Sequence, residues 1–312
     1  MNLIIHHWDA DGICAAALLY GKDFNVMCPT IGNYFLTDNE IEKIERIGYD
    51  EIYVVDFAID RKSLMRLLEI GNIKVFDHHL TEKIDGVEYI NPILEGKSEE
   101  DYPSTSWVIN EYIKKKKNLL AFLGVVGDME YRIKTTKFYG RLKSFMEEEG
   151  IKFDEMLKMV KLMEANYKVG NRKEIEKAVR CLSKERDIKN FILKNKIWNE
   201  NLKKVEKEIA KILNENGEKI GRVFIKEMNT KYNIVSTIAR RLWEKNEYVV
   251  VINHGYFDNA CQIYVRGKNV YPLIEIAKKR GHIAGGKRNV FGAIIPKNEC
   301  HDFIKKILEE IR

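Results

Sequence analysis

Acidic and imidazole side chains recur where apolar segments of this sequence end. His7, Asp9 and Asp11 follow the predicted strand Leu3–Ile5, and their i, i+2, i+4 spacing puts them on one face if the chain stays extended. Each remaining group also follows an apolar run predicted as a strand: Asp56 after Glu51–Val55, Asp77, His78 and His79 after Ile73–Phe76, and Asp128 after Leu119–Val126. We expect these groups to meet at one edge of a sheet.

Such a cluster is suited to binding divalent cations. Neighbouring carboxylates repel one another unless a cation neutralises them, and carboxylate with imidazole suits Mn, Mg, Zn or Fe. The ligands are too many for one tetrahedral ion and fit two ions about 3.5–4 Å apart, which activate water and stabilise a phosphoryl transition state. The alternative is that any single Asp at a strand end only caps a helix or a turn.

Strands that alternate with helices predict a mostly parallel sheet flanked by helices, in an α/β fold. Helices are predicted at Gly12–Tyr20, at 61–70 and from a Ser104 cap to about Lys115. From about 135 the pattern becomes helical. We predict a domain at 1–195, a connecting helix at 196–216 and a smaller α/β domain at 217–312.

Composition sets limits on the class of protein. The 312 residues carry a net charge of +6, which permits a polyanionic partner without requiring one. No apolar stretch approaches the roughly 18–20 residues of a membrane span, and the N-terminus lacks the features of a signal peptide, so we expect a cytoplasmic protein. The 5 cysteines are scattered and predict buried thiols rather than disulfides or a thiolate zinc site. The run Lys114–Lys117 predicts a solvated helix end.

Four segments together resemble the motifs of the DHH phosphoesterase superfamily. They are His7-Trp8-Asp9-Ala10-Asp11-Gly12, Val55-Asp56, Phe76-Asp77-His78-His79 and Val126-Gly127-Asp128. The segment Arg280–Gly286 resembles the Gly-His loop of the associated C-terminal domain found in the RecJ and nanoRNase-like branch. The resemblance covers both ends of the chain, and the helical middle matches only in general character.

The resemblance implies two Mn²⁺ ions, with Mg²⁺ or Co²⁺ as alternatives. The ligands of one ion would be His7, Asp9 and Asp56, and those of the other Asp11, Asp56, His78 and Asp128. Asp56 would then be the bridge. Asp77 would orient a histidine, and His79 would face the phosphate or the leaving oxygen.

The resemblance also implies where substrate binds. Arg266 would grip a phosphate, and a glycine-rich loop would add backbone amides and an imidazole through Gly281, His282, Gly285 and Gly286. The alternative is an ordinary glycine-rich turn whose cationic side chains are solvated and bind no substrate.

The favoured function is a Mn²⁺-dependent exonuclease that degrades single-stranded DNA or RNA oligonucleotides to mononucleotides. One alternative acts on a small nucleotide such as 3′-phosphoadenosine 5′-phosphate or a dinucleotide. The other is a catalytically silent scaffold that binds a replication or repair partner. No membrane partner is expected.

Overall fold

The computed structural model describes residues 1–114 and 118–311. It divides into two compact units, Met1–Leu202 and Lys203–Arg312. Most of the lysine run, 115–117, lies outside the described residues. Within the described ranges, no helix combines the length and the apolar character needed to cross a membrane.

The first unit is built on a parallel sheet of five strands. The strands in chain order are β1 (Asn2–His6), β2 (Phe24–Met27), β3 (Glu51–Val55), β4 (Asn72–Phe76) and β5 (Val87–Ile90). They lie in the order β2-β1-β3-β4-β5, and each neighbouring pair is parallel. The prediction of a mostly parallel sheet flanked by helices is confirmed, although the sequence analysis did not identify β2 and β5.

Ten α-helices begin among the described residues of this unit. They are α1 (Ala10–Leu19), α2 (Asp38–Ile47), α3 (Arg61–Leu68), α4 (Thr105–Tyr112), α5 (Leu119–Met129), α6 (Tyr139–Glu149), α7 (Phe153–Lys168), α8 (Arg172–Leu182), α9 (Ile188–Lys194) and α10 (Lys196–Asn214), the last of which continues past residue 202. Ser104 caps α4 as predicted, because its side chain accepts a hydrogen bond from the amide of Trp107. The helical character predicted from about 135 is confirmed.

The prediction of a strand over Leu119–Val126 is wrong. This run forms most of α5, and Asn118 caps the helix by accepting a hydrogen bond from the amide of Leu120. A short run in which every residue is apolar does not distinguish a buried strand from a buried helix by periodicity. Asp128 therefore reaches the sheet edge from the last turn of a helix.

The extended conformation that would put His7, Asp9 and Asp11 on one face does not continue to Asp11. The chain turns at Asp9, whose carboxylate caps α1 by accepting from the amide of Gly12, and Asp11 lies in the first helical turn. Strong N-cap preference makes the chain leave the extended state as soon as β1 ends.

The described part of the second unit, residues 203–311, contains the end of α10, a mixed sheet of six strands and three further α-helices. The strands are β6 (Glu218–Ile220), β7 (Val223–Met228), β8 (Tyr248–Asn253), β9 (Ala260–Arg266), β10 (Ile283–Lys287) and β11 (Val290–Pro296), in the order β10-β11-β9-β8-β7-β6. The helices are α11 (Val235–Trp243), α12 (Pro272–Lys279) and α13 (Lys297–Ile311). The expected smaller α/β domain at the C-terminus is confirmed.

Candidate metal centre

The predicted ligands meet at the carboxyl edge of the first sheet. His7 follows β1, Asp56 follows β3, and Asp77 and His78 follow β4. These three strands are consecutive and parallel, so their carboxyl ends open at the same edge, where open α/β sheets place their sites.

Asp56 occupies the middle of the cluster. Its Oδ2 lies 3.9 Å from Nδ1 of His7, and its Oδ1 lies 3.9 Å from Nε2 of His78. Its backbone has a φ of 54°, which is unusual for a residue other than glycine. Its amide donates to the carbonyl of Phe76, and the hydroxyl of Thr105 donates to Oδ1 at 2.8 Å. These contacts hold a strained backbone that turns the carboxylate toward both neighbours.

One group of potential ligands consists of His7, Asp9 and Asp56. Nδ1 of His7 lies 2.8 Å from Oδ2 of Asp9, while Oδ1 of Asp9 is used by the helix cap. Only glycine fits at position 12, because a Cβ there would lie 2.4 Å from the carbonyl oxygen of His7. The turn from β1 into α1 thus brings the carboxylate of Asp9 to the imidazole of His7.

A second group consists of Asp11, His78 and Asp128. Asp11 is fully buried, and its two oxygens accept hydrogen bonds of 2.7 and 2.9 Å from the amides of Thr105 and Ser106. These amides belong to the first turn of α4, whose N-terminus favours a negative charge. Nε2 of His78 lies 2.9 Å from Oδ2 of Asp128.

Asp77 is positioned to orient the two histidines that follow it. Its Oδ1 accepts from the amides of His78 and His79 and lies 2.8 Å from Nδ1 of His79. The ring of His79 is partly exposed, and a ligand atom of His79 also groups with Asp56 and His78. Asp77 therefore fixes the ring of His79, which leaves Nε2 of that ring for the substrate or a cation.

The carboxylates affect one another's pKa values. Burial and the charges of Asp11 and Asp9 raise the pKa of Asp56 well above its usual range. Burial and the charge of Asp128 raise the pKa of Asp11 to about 6. Burial acts in the same direction on Asp9, but the charge and hydrogen bond of His7 prevail and lower its pKa to about 2. Without a cation, the cluster retains protons that a divalent ion would displace.

The donor set fits divalent cations. Nε2 of His78 is buried and faces Oδ2 of Asp128 at 2.9 Å and Oδ1 of Asp56 at 3.9 Å. A buried imidazole nitrogen that converges with carboxylate oxygens is expected at a ligand position. Histidine and carboxylate donors suit Mn²⁺, and Mg²⁺ would rely more on the carboxylates. His7, Asp9 and Asp56 would hold one ion, and Asp11, Asp56, His78 and Asp128 the other.

Sequence reasoning missed two residues beside the cluster. Thr105 directly follows the predicted Ser104 cap, and its hydroxyl and amide contact Asp56 and Asp11. Tyr34 is 45% exposed and stacks 6.1 Å from the ring of His7. Tyr34 lies in the segment after β2, and β2 is parallel to β1. A sequence prediction of β2 would have placed this segment at the sheet edge that holds the metal cluster.

The residues predicted to bind substrate all lie in the second unit. Arg266 ends β9, with its guanidinium 5.5 Å from the ring of Trp243. The side chain of His282 is only 5% exposed, and its ring lies 5.4 Å from that of Phe303 in α13. Gly281 has a φ of 78°, which suits the turn after α12.

The prediction of a glycine loop is wrong for Gly285 and Gly286. Both lie within β10, where they pair with Gly292 and Phe291 of β11. Pairing with a strand rich in apolar residues outweighs the low strand propensity of glycine. Because β10 is at the edge of the sheet, its outward backbone groups still lie at the rim.

Comparison with known proteins identifies one family. Residues 2–131 match the family described as DHH family, N-terminal domain. This range contains every residue of the metal cluster. No curated protein matches the chain in sequence.

Several solved structures share the fold at low sequence identity. RecJ in complex with Mn²⁺ from Thermus thermophilus is 16% identical with a TM-score of 0.69, over 98% of this chain and 51% of that chain. Exonuclease RecJ bound to manganese is 18% identical with a TM-score of 0.64, over 98% and 88%. The pGpG-specific phosphodiesterase PggH from Vibrio cholerae is 14% identical with a TM-score of 0.55, over 99% and 98%. The chain thus spans about half the length of the Thermus protein.

Proposed function

Since residues 2–131 match the DHH family, N-terminal domain, we propose that the protein is a Mn²⁺-dependent phosphodiesterase of the cytoplasm. Its substrates would be single-stranded DNA or RNA oligonucleotides, which it would hydrolyse to mononucleotides. The fold shared with RecJ structures that contain Mn²⁺ supports this choice of reaction and ion.

The position of Asp56 carries the proposal. Its two oxygens face two different groups of ligands, with His7 on one side and His78 on the other, each at 3.9 Å. A carboxylate so placed can bridge two cations, and paired cations stabilise both the attacking and the leaving oxygen of a phosphoryl transfer.

The protein's own residues then have distinct roles. The amides of Thr105 and Ser106 fix Asp11, and Asp77 fixes the ring of His79. With Nδ1 of His79 held, we assign Nε2 to donate a hydrogen bond to the phosphate or the leaving oxygen. The bound cations would supply Lewis-acid stabilisation and lower the pKa of the attacking water.

Substrate contacts from the second unit are part of the proposal. Arg266 would provide a cationic contact to phosphate, and Gly281, Gly285 and Gly286 backbone contacts. The ring of His282 packs against Phe303. Its imidazole would therefore need a change of rotamer before it could contact the phosphate.

A small substrate is the second candidate. The pGpG-specific phosphodiesterase shares this fold with a TM-score of 0.55. Its substrate class supports a linear dinucleotide or another small nucleotide as the alternative to an oligonucleotide.

The test uses 5′-labelled DNA and RNA oligonucleotides of two to about thirty nucleotides, in Mn²⁺ and in EDTA. We expect Mn²⁺-dependent release of mononucleotides, lost in Asp56→Asn. Asp23→Asn is the matched control, because Asp23 is exposed and precedes the amino end of β2. Cleavage of dinucleotides alone would favour the second candidate. If the protein binds Mn²⁺ but cleaves none of these substrates, the proposal is wrong, and a silent scaffold for a replication or repair partner remains.

A further inference from the structure

Three potential metal ligands meet in the second unit, far from one another in sequence. His254 follows β8, Cys261 is the second residue of β9, and Cys300 lies in the first turn of α13. Their ligand atoms all lie within 4.8 Å of one another. None of the three belongs to the metal centre of the first unit.

The imidazole of His254 is oriented from both sides. Its Nδ1 lies 3.1 Å from Sγ of Cys261, and its Nε2 lies 3.0 Å from Oε2 of Glu227 in β7. A histidine that binds a metal through one nitrogen commonly gives its other N–H to a carboxylate, which fixes the tautomer and the ring. Glu227 stands where that partner is needed.

We propose that His254, Cys261 and Cys300 bind a zinc ion and that Glu227 positions the histidine. With zinc–sulfur bonds of about 2.3 Å and zinc–nitrogen bonds of about 2.0 Å, donors of a tetrahedral site lie roughly 3.5–3.8 Å apart. The observed separations require adjustments of only about an ångström to reach these values.

The charges of this donor set favour Zn²⁺. Two thiolates and one neutral imidazole give a charge of −2, so a bound Zn²⁺ leaves the complex neutral. Neutrality matters because Cys261 and Cys300 are 1% and 4% exposed and lie in the apolar core of this unit. Thiolate and imidazole are also ligands that zinc prefers.

An ion can reach the site from the surface. The side chain of His254 is 36% exposed and lines an open pocket of about 410 Å³ together with Glu227, Met228 and residues of α10. Water from this pocket would take the fourth position of a tetrahedral ion.

A zinc ion here would link three elements of the unit. It would join the end of β8 and the start of β9 to α13, which otherwise contacts the sheet through apolar side chains such as Phe303 and Ile307. The ion would therefore stabilise the docking of α13 independently of any catalysis.

Cobalt substitution tests the site separately from the metal centre of the first unit. Co²⁺ bound to thiolate gives a sulfur-to-metal absorption band in the near ultraviolet, which carboxylate and histidine ligands do not give. We would add Co²⁺ to the chelator-treated full chain and record this band. In a separate sample of the protein loaded with zinc, elemental analysis would measure the bound Zn²⁺. The Asp11→Asn variant should retain the band, which separates this test from the proposed phosphodiesterase activity.

Four variants complete the experiment. Cys300→Ser and His254→Ala should abolish the band and lose about one equivalent of zinc, and Glu227→Gln should weaken zinc binding by about 10–100-fold. Cys181→Ser is the matched control, since Cys181 is a free cysteine in the first unit. His254 is partly exposed, so its replacement also guards against a folding defect of the cysteine variant. A missing band, a band unchanged in both variants, or a Cys261–Cys300 disulfide in the purified protein would overturn the proposal.

Discussion

The hydroxyl of Thr105 donates a hydrogen bond of 2.8 Å to the carboxylate of Asp56. Both groups are buried, and the threonine is the first residue of α4. The helix thus contacts the centre of the metal cluster with a side chain as well as with its amides.

Replacing this hydroxyl should weaken metal binding while the fold persists. Thr105→Val keeps the shape of the side chain and removes the hydrogen bond that orients the carboxylate of Asp56. We expect a loss of about 10–100-fold in Mn²⁺ affinity, measured by calorimetric titration. Thr135→Val is the control, because Thr135 is exposed and its hydroxyl donates to the carbonyl of Arg132, away from the cluster. Equal affinities in the two variants would contradict the role of Thr105.

Gly124 of α5 provides space for Asp11. A Cβ at this position would lie 2.2 Å from Oδ1 of Asp11 and 2.0 Å from Oγ of Ser106. Gly124→Ala should therefore displace the carboxylate and reduce activity and metal affinity by at least about tenfold.

The matched control is a second helical glycine. An added Cβ at Gly140 in α6 meets no atom within 4 Å, so Gly140→Ala should be neutral or raise stability by up to about 1 kcal/mol. Metal titration and thermal unfolding of both variants check this contrast. Full metal affinity in Gly124→Ala would show that the cluster does not need this space.

The stability of the metal-free protein should fall as the pH rises, most clearly from about 6.5 to about 9. Burial and the Asp128 charge raise the pKa of Asp11 from 3.8 to about 6. Burial lowers the pKa of His78, but the neighbouring Asp128 outweighs it and raises that pKa from 6.5 to about 9. Because both values exceed those of the unfolded chain, the folded protein binds more protons in these intervals and loses stability as they leave. The lowered pKa of Asp9 acts below this window. Burial lowers the pKa of His6 from 6.5 to about 4, so His6 opposes the contribution of Asp11 below about pH 6.5.

Thermal unfolding in EDTA between pH 5 and 9 measures this dependence. Asp11→Asn and His78→Gln should each flatten it, and Asp23→Asn should not. Adding Mn²⁺ should raise the Tm most at the alkaline end, where fewer protons compete with the ion. A Tm of the metal-free protein that rises across this range would refute the assignment.

Tyr34 should contribute to binding a nucleobase. Its ring is exposed beside His7, and stacking of one base on an aromatic ring contributes about 1–3 kcal/mol. We expect Tyr34→Ala to weaken oligonucleotide binding by about 5–150-fold, in a fluorescence anisotropy titration. Hydrolysis of a small chromogenic phosphodiester should change little. Tyr271→Ala, which removes a similarly exposed ring, is the control, and an equal loss in both variants would count against stacking at Tyr34.

The sequence was sufficient to predict which side chains cluster, because parallel strands have their carboxyl ends at one edge. Asp56, Asp77 and His78 each follow a strand whose apolar residues could be recognised in the sequence. Asp128 also joins the cluster, although the sequence predicted the wrong element for it. An apolar run preceding an acidic residue has the same appearance in a buried helix and in a buried strand.

Contacts between distant segments could not be predicted in the same way. The bond from Thr105 to Asp56 spans 49 positions, and no local pattern in either segment indicates it. The proximity of Cys261 and Cys300 is likewise not indicated by any local pattern. Their separation in the sequence predicted isolated thiols. Antiparallel pairing and the docking of α13 bring them to one place, and neither leaves a spacing motif.

The strictly parallel first sheet has a consequence for the order in which the chain can fold. β1 lies between β2 and β3, so β1 cannot complete its pairing until residue 55 has been synthesised. Each neighbouring pair needs a crossover connection rather than a tight hairpin, and such non-local pairing closes slowly. Leu3–Ile5 are almost fully buried in the folded protein. During synthesis they remain exposed to solvent until β3 is available for pairing. Exposed apolar strands promote aggregation, so the segment that carries His7 and Asp9 needs protection until β3 has been made.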